Sequence, residues 1–571
     1  MSALSPASAG SNFFGNANLG LTPQALCCRP LRGLFILLVL TTVCVAVPQH
    51  AAQQTIDPAL REAGALVQAG RLEEAEDATR KFLARNPKSA EAHSLLGVIL
   101  DQRGMVGEAE KEYEAALRLK PSLVSALSNL GVLLARTNRA SEAIAKFEKV
   151  LVIDPRHERA IFNLGALYAA RKDFKRAVPL LEKAANADHA DVALILTLVN
   201  AYVHADRRKE ALDLSKRLEG LAANDPKVLF TLALSLAEAH EYAEALRLFQ
   251  RTNELRPQTY EVLYNLGLAL YNLDRLDEAR RAMSSASALK PSEADPYYRL
   301  GLIASAQGDT KAALTHWTKA LELRPVFAEV NFMIGEELLK NRLAEKSIPF
   351  YEKALEHAQG QLVYYLRLGV ANVRGQRYER ARQVFTQALQ RYPDNHNLYF
   401  LLGYTGRAEG RYDEAVAAFK HALKLQPDNP DVLSNLGYIA SQRGENVEAE
   451  RLLKRALELD PKSFPSYHDL GRLLVKLRRY DEAVPLLQRG VELNAKDPGV
   501  HYQLFLAYSR LKKKDEADRE LAEFKRLDEV NRHGATPLGD AATTGMGRDG
   551  ETLPPLPPAA SGDSARPRSP M

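Results

Sequence analysis

Apolar and polar positions fall into paired helical stretches along most of the chain. Between His396 and Asn429, Leu398, Leu401 and Leu402 have helical spacing, and Glu409-Gly410-Arg411 interrupts it. A second helix is predicted from about Asp413, with Val416, Phe419, Leu423 and Leu425 along its inward side. Gly403 and Ala415 are the small residues where the two helices approach most closely, and Phe419 fills the space they leave. Pro427 cannot continue the second helix and sets the turn into the next pair.

The same pattern recurs every 34 residues. Prolines stand at Pro87, Pro121 and Pro155, return in phase at Pro257, Pro291 and Pro325, and again at Pro393, Pro427 and Pro461. Glycines keep the beat at Gly97, Gly131, Gly165, Gly267, Gly301, Gly335, Gly369, Gly403, Gly437 and Gly471. Alanines twelve residues later, from Ala109 to Ala483, keep it too, and Ala75, Ala211, Ala245 and Ala517 hold the phase where the glycine is missing. Counted from Ile56, fourteen units of 34 residues end at Asn531 with no net insertion. Two short helices cannot bury their apolar faces alone, so each pair must stack on its neighbours. The predicted fold is therefore an all-α superhelical solenoid rather than several globules.

The succession Leu-Gly, aromatic or Leu, Ala, aromatic, Ala, Pro on this beat resembles the tetratricopeptide repeat, most clearly over Tyr260 to Ser292 and Asn397 to Asp428. The resemblance covers residues 56–531 and implies a right-handed solenoid. Thirteen of the fourteen units carry Ala at the close-contact position of the second helix, Ser347 being the exception. The family consists of binding scaffolds of many specificities, so the resemblance implies binding rather than catalysis.

Some units depart from the pattern. Val199 replaces the expected Gly, His189 stands where a Pro should be, Pro226 comes three residues late, and the unit from Ala328 ends at Gln359-Gly360 without Pro. These read as tolerated substitutions, the alternative being changes of superhelical curvature. The first unit is weak in glycine and aromatic positions, and the last has a polar second helix running from Lys512 to Asp528. Both read as caps facing water.

Residues 1–55 read as a targeting leader. No Asp or Glu precedes Asp57, and Arg29 and Arg32 stand ahead of an apolar run from Leu34 to Val47 with the small Ala46 near its end. As a helix that run rises about 21 Å, short of the roughly 30 Å hydrocarbon core. A removed secretory signal is thus favoured over a permanent anchor, and an exported, periplasmic or extracytoplasmic location is expected, with tethering through residues 34–47 if the run is kept. Membrane contact is expected through this segment alone. Residues 532–571 hold seven Pro and six Gly and read as a disordered tail, with Pro554-Pro555-Leu556-Pro557-Pro558 favouring polyproline II as a spacer or docking peptide.

Composition then narrows the chemistry. The 76 Lys and Arg nearly balance 71 Asp and Glu, a net of +5, which gives no broad footprint for nucleic acid, and no such partner is expected. The three cysteines, Cys27, Cys28 and Cys44, all lie in the leader, so no disulfide framework, thiolate zinc site or cysteine nucleophile follows. The 13 histidines include no His-x-x-x-His pair, and neither a phosphate loop nor a Gly-x-Ser-x-Gly elbow occurs. The acidic pairs Asp277-Glu278, Asp413-Glu414, Asp481-Glu482 and Asp515-Glu516 share one repeat position, the first turn of a second helix. There carboxylates cap free N–H groups and suit the helix dipole, so they read as structural rather than catalytic. Trp317 holds the large-residue position of a second helix and reads as core. No enzyme, cofactor or metal site is predicted.

What remains is recognition. In the family the first helices line the concave face. Three positions before each Gly or its equivalent they carry Phe162, Phe230, Tyr264, Tyr298, Phe332, Phe400 and Tyr502. Two positions before it they carry Asn129, Asn163, Asn265 and Asn435, with Arg299 and Arg367 at the equivalent place. Rings that bury side chains and amides that pair with backbone N–H and C=O suit an extended polypeptide, and suit sugar rings less well. An aromatic followed by Asn is also common at these positions in the family, which leaves plain family background as the alternative. Lys is absent where chaperone-carboxylate clamps require it, the positions of Ser94, Ser128, Phe162 and Phe230. The Asn row resembles the lining of the O-linked N-acetylglucosamine transferase superhelix only in part. The expectation is an exported, non-enzymatic scaffold that binds one or more proteins in its groove and assembles an envelope or secretion complex. Alternatives are a carbohydrate-binding protein escorting an exported polysaccharide, or an adaptor recruiting substrate to a separate enzyme.

Overall fold

The computed structural model describes residues 57–185 and 192–533. The leader, His189 and the Pro/Gly-rich tail beyond His533 lie outside the described residues, and the last helix takes in the first two positions assigned to that tail. Those described form 28 α-helices and no strand. First helices begin every 34 residues from Ala90 to Pro498, and second helices do so from Leu72 to Lys514. Chain contacts group the molecule into two compact units, one ending at His316 and the other taking up at Trp317.

The turn inside each pair is made the same way throughout. Its middle residue has positive φ, as at Gly410 (φ 80°), and the next N–H reaches back to the helix, Arg411 N donating to Gly406 O at 2.8 Å. The equivalent places hold Gly70, Gly104, Gly308 and Gly444, but also Lys172, Arg342, Gln376 and Arg478, all with positive φ.

Starts differ between the two helix types. Side chains cap many first helices: Asp225 accepts from Lys227 N at 2.9 Å, Asn395 from Leu398 N at 3.2 Å, and Asp497 from Val500 N at 3.1 Å. The second helices with acidic pairs at 277–278, 413–414 and 481–482 have no side-chain cap hydrogen bond, contrary to expectation. An arginine occupies each of these N-cap positions, and it takes the glutamate three residues on, as in Arg275–Glu278 (2.8 Å) and Arg479–Glu482 (2.6 Å). The carboxylates still sit in the first turn, where the dipole favours them. Arg139 and Arg479 each also reach a glutamate of the preceding second helix, Glu110 and Glu450, both at 2.6 Å.

In most pairs the core sets one large side chain of the second helix against one glycine of the first. A Cβ placed on Gly403 would come within 2.7 Å of Phe419, one on Gly131 within 2.9 Å of Phe147, and one on Gly335 within 2.7 Å of Tyr351. These rings are fully buried, as is Trp317. Burying such a side chain contributes about 1.5–3 kcal/mol. Val199 is no defect: the large-residue position that faces it holds Ser215, so large and small have changed places, and both are buried. Ser347 stands in for Ala because its hydroxyl donates to Ala344 O at 2.7 Å. Pro226 comes late because it opens the helix Pro226–Glu238 behind the Asp225 cap. One inward assignment fails. Leu425, at the last position of its helix, is exposed.

Within each unit a second helix packs on its own first helix and on the next one, and consecutive first helices also touch. Second helices pack less on one another, so the first helices make the more closely joined face, called the wall below.

Candidate functional site

The wall of first helices in the unit ending at His316 carries eight of the residues singled out from sequence. Phe162, Phe230 and Tyr264 are half-buried, each leaving part of its ring at the surface. Tyr298 is buried, with the Arg299 guanidinium 5.1 Å from its centroid, and Arg299 Nε donates to the Tyr264 hydroxyl at 3.4 Å. Asn129 and Asn163 are half-buried, and neither amide makes a hydrogen bond within the described residues. Asn265 differs, since its Nδ2 donates to Glu261 O at 2.8 Å, one turn back on its own helix. Around these amides the position one residue past each glycine is apolar: Val98, Val132 and Ala166.

In the unit from Trp317, Phe332 is 0% exposed, its ring packed 4.9 Å from Tyr364 and 5.7 Å from Tyr351. It has no surface with which to touch a ligand and belongs to the core. Phe400 is also buried, tilted against Phe419 at 5.9 Å. Asn435 spends its Nδ2 on Asp431 O at 2.8 Å, while its buried Oδ1 finds no partner. Arg367 Nε lies 3.1 Å from Glu336 Oε1. Tyr502, near the end of the array, is exposed, with Phe524 5.2 Å away.

The structure thus brings Asn129 and Asn163 together with Phe162 on adjacent first helices, and withdraws Phe332, Tyr298 and Phe400 into the core. Sequence reasoning missed a further set, Glu336, Tyr404, Tyr438 and Arg472, one position after the glycines. The signal was present as the same 34-residue beat read one place later. Among the described residues no group of three His, Cys, Asp or Glu is placed to hold a metal, and no helix is long and apolar enough to cross a membrane.

No curated protein matches the chain in sequence. Among solved structures, YrrB, described as a TPR protein with an unusual peptide-binding site, is 24% identical over 31% of this chain and 92% of its own, with a TM-score of 0.28. Yeast Tom70 is 17% identical over 79% and 98%, TM-score 0.31, and MamA from MSR-1 is 30% identical over 29% and 95%, TM-score 0.26. A family model described as tetratricopeptide repeat matches residues 60–124, 106–158, 129–192, 230–294, 298–361, 366–430 and 468–531, and a second of the same description matches 407–474. Together with the paired helices on an unbroken 34-residue step, these matches place the chain in the tetratricopeptide repeat family.

Proposed function

We propose that the chain is a protein–protein interaction scaffold that holds an extended polypeptide against the first-helix wall of the unit ending at His316. The observation that carries this reading is the pair Asn129 and Asn163. They occupy the same position on consecutive first helices, are half-buried, and have amides that make no hydrogen bond among the described residues. An amide offers both a donor and an acceptor, which matches the N–H and C=O of a peptide backbone. The half-exposed rings of Phe162, Phe230 and Tyr264 supply apolar surface for its side chains. Leaving a partner's buried backbone group unpaired is costly, so the two amides together account for about a tenfold change in affinity.

A photo-crosslinking residue at Val132 tests the reading, with the captured polypeptide sequenced by mass spectrometry. The expected result is one stoichiometric partner, crosslinked at Val132 and held roughly tenfold more weakly by the Asn129→Ala/Asn163→Ala double variant. Crosslinking confined to second-helix positions such as Lys149, with affinity unchanged in the double variant, overturns it.

The acid-free leader with its basic flank and apolar run supports a place of action outside the cytoplasm, where the scaffold would assemble an envelope or secretion complex. N-terminal sequencing of protein from cells is expected to find a new terminus near Val47. An intact leader in a soluble cytoplasmic fraction sinks this part of the reading.

A further inference from the structure

Over the first helices Ala328–Lys340, Leu362–Arg374, His396–Glu409, Pro430–Arg443 and Phe464–Lys476, the wall changes character. Where the other unit has Val98, Val132 and Ala166 after its glycines, this one has Glu336, Val370, Tyr404, Tyr438 and Arg472. Side chains from successive helices interlock there. Glu336 Oε1 lies 3.1 Å from Arg367 Nε as an ion pair and accepts from the Tyr351 hydroxyl at 2.5 Å. The Arg407 guanidinium lies 5.1 Å from the Tyr404 ring and 4.6 Å from the Tyr438 ring, and Arg472 covers Tyr438 at 4.8 Å. Arg472 also bonds Asp469 at 3.0 Å, and Lys476 donates to Ser441 O at 2.9 Å.

Counted over all five helices, seven basic residues stand with six carboxylates, so it is their placement that matters. Glu337 is buried, Glu409 pairs with Arg382 and Arg411, Arg443 pairs with Asp413, and Glu329 and Asp431 lie two turns back at helix starts, which leaves Lys340, Arg367, Arg374, Arg407, Arg472 and Lys476 with Glu336 and Asp469. Arg374 is exposed at the end of its helix and has no ion pair among the described residues. The surrounding protein, and then the neighbouring Arg367, nevertheless hold its guanidinium below the ordinary arginine range. Two like charges side by side, as Arg374 and Arg367 are, are relieved by an incoming anion. The tyrosine faces fix Arg407 and Arg472 in place through cation–π contact, and a guanidinium held by its face keeps N–H edges suited to carboxylates.

We propose that this stretch binds an acidic segment of a polypeptide partner, its Asp or Glu side chains taken by Arg367 with Arg374, by Arg407 and by Arg472. The proposal rests on the reading of the first-helix wall as a polypeptide-binding face and adds to it the chemistry of one partner. Packed helices lie about 9 Å apart and an extended chain advances about 3.3 Å per residue, so carboxylates about three residues apart meet consecutive helices. Arg472 lies two helices beyond Arg407, so its carboxylate stands about six residues further along.

The test is fluorescence anisotropy with the full chain and two labelled Gly/Ser peptides, one carrying Glu at the three matching places and one carrying Gln there. The Glu peptide is expected to bind roughly tenfold more tightly at low salt, with the advantage shrinking as salt is raised. Arg367→Gln/Arg407→Gln/Arg472→Gln is expected to abolish that advantage with the helical circular dichroism unchanged. Arg374→Gln, which breaks no ion pair among the described residues and so is expected to leave the fold intact, is expected to weaken the Glu peptide about threefold. Equal affinity for the two peptides, or no response to either variant, overturns the proposal. So does displacement of the Glu peptide by a single-stranded oligonucleotide of equal charge at lower concentration, which would assign the site to polyanions. The Asn129→Ala/Asn163→Ala variant separates this failure from failure of the underlying reading. If it weakens the partner captured at Val132 while Glu and Gln peptides bind alike, the wall still binds polypeptide and the acidic preference alone is wrong.

Discussion

At the scale of single residues, the left-handed turns are where the chain holds strain. A side chain at positive φ meets its own backbone, at a cost of about 1–2 kcal/mol that glycine escapes. Arg342 and Arg478 carry that cost where Gly410 and Gly444 do not. Arg342→Gly and Arg478→Gly are each expected to stabilise the protein by about 0.5–1 kcal/mol, glycine's greater freedom when unfolded offsetting part of the gain. Gly410→Ala is expected to cost about 1 kcal/mol. Urea titration followed by circular dichroism measures all three. These turns were only partly legible in the sequence. Gly410 announces a break and Gly375 stands beside Gln376, but Lys172 and Arg478 carry no such signal, and their own residue types do not distinguish them from helix surface. The opposite holds for Gly403 and Phe419, whose match of size was readable because small and large recur in fixed phase.

At the scale of helices, the last pair is tied by a buried histidine. His501 Nδ1 lies 2.5 Å from Glu520 Oε2, and its Nε2 lies 3.2 Å from Ala495 O, so the protonated ring donates at both ends. The bond to Glu520 raises the His501 pKa above its ordinary 6.5, outweighing the opposite effect of burial. Because the folded value is raised, the stabilisation is complete below about pH 6.5 and is lost as pH climbs through the folded value. Urea midpoints are therefore expected to fall from pH 6 to pH 8, and His501→Gln is expected to flatten that fall. A variant whose pH dependence matches the native protein would refute the linkage. Helix positions were legible almost throughout, but the exposure of the aromatic stripe was not. Phe332 shares the repeat position of Phe162, yet Tyr364 of the next first helix closes over it. The Arg–Tyr row escaped notice for a related reason. Arg407 and Tyr438 sit in different repeats, and a pattern read one repeat at a time does not pair them.

At the scale of the whole molecule, each helix pair gains most of its stability from the pairs beside it. Phe147→Ala removes the ring that fills the space over Gly131 and is expected to cost about 3–5 kcal/mol. Hydrogen exchange should show lost protection in residues 124–153 and in the adjoining helices, fading within about two repeats. A uniform loss from 57 to 316 would mean that the unit unfolds as one body instead. The arginines that bridge consecutive second helices, such as Arg139 to Glu110, add little singly, because water and salt screen an exposed pair and holding two long side chains in one geometry costs entropy.

The invariant 34-residue step has a mechanical meaning as well. Since no pair contains an inserted loop, every pair that gives way under tension releases the same length of chain. Pulled between its ends in an optical trap, the array is expected to lengthen in equal increments of about 11 nm of contour, or whole multiples of that where neighbouring pairs yield together. A scaffold built this way behaves as a graduated spring, able to lengthen under load by fixed steps and to shorten again as each pair finds its neighbour.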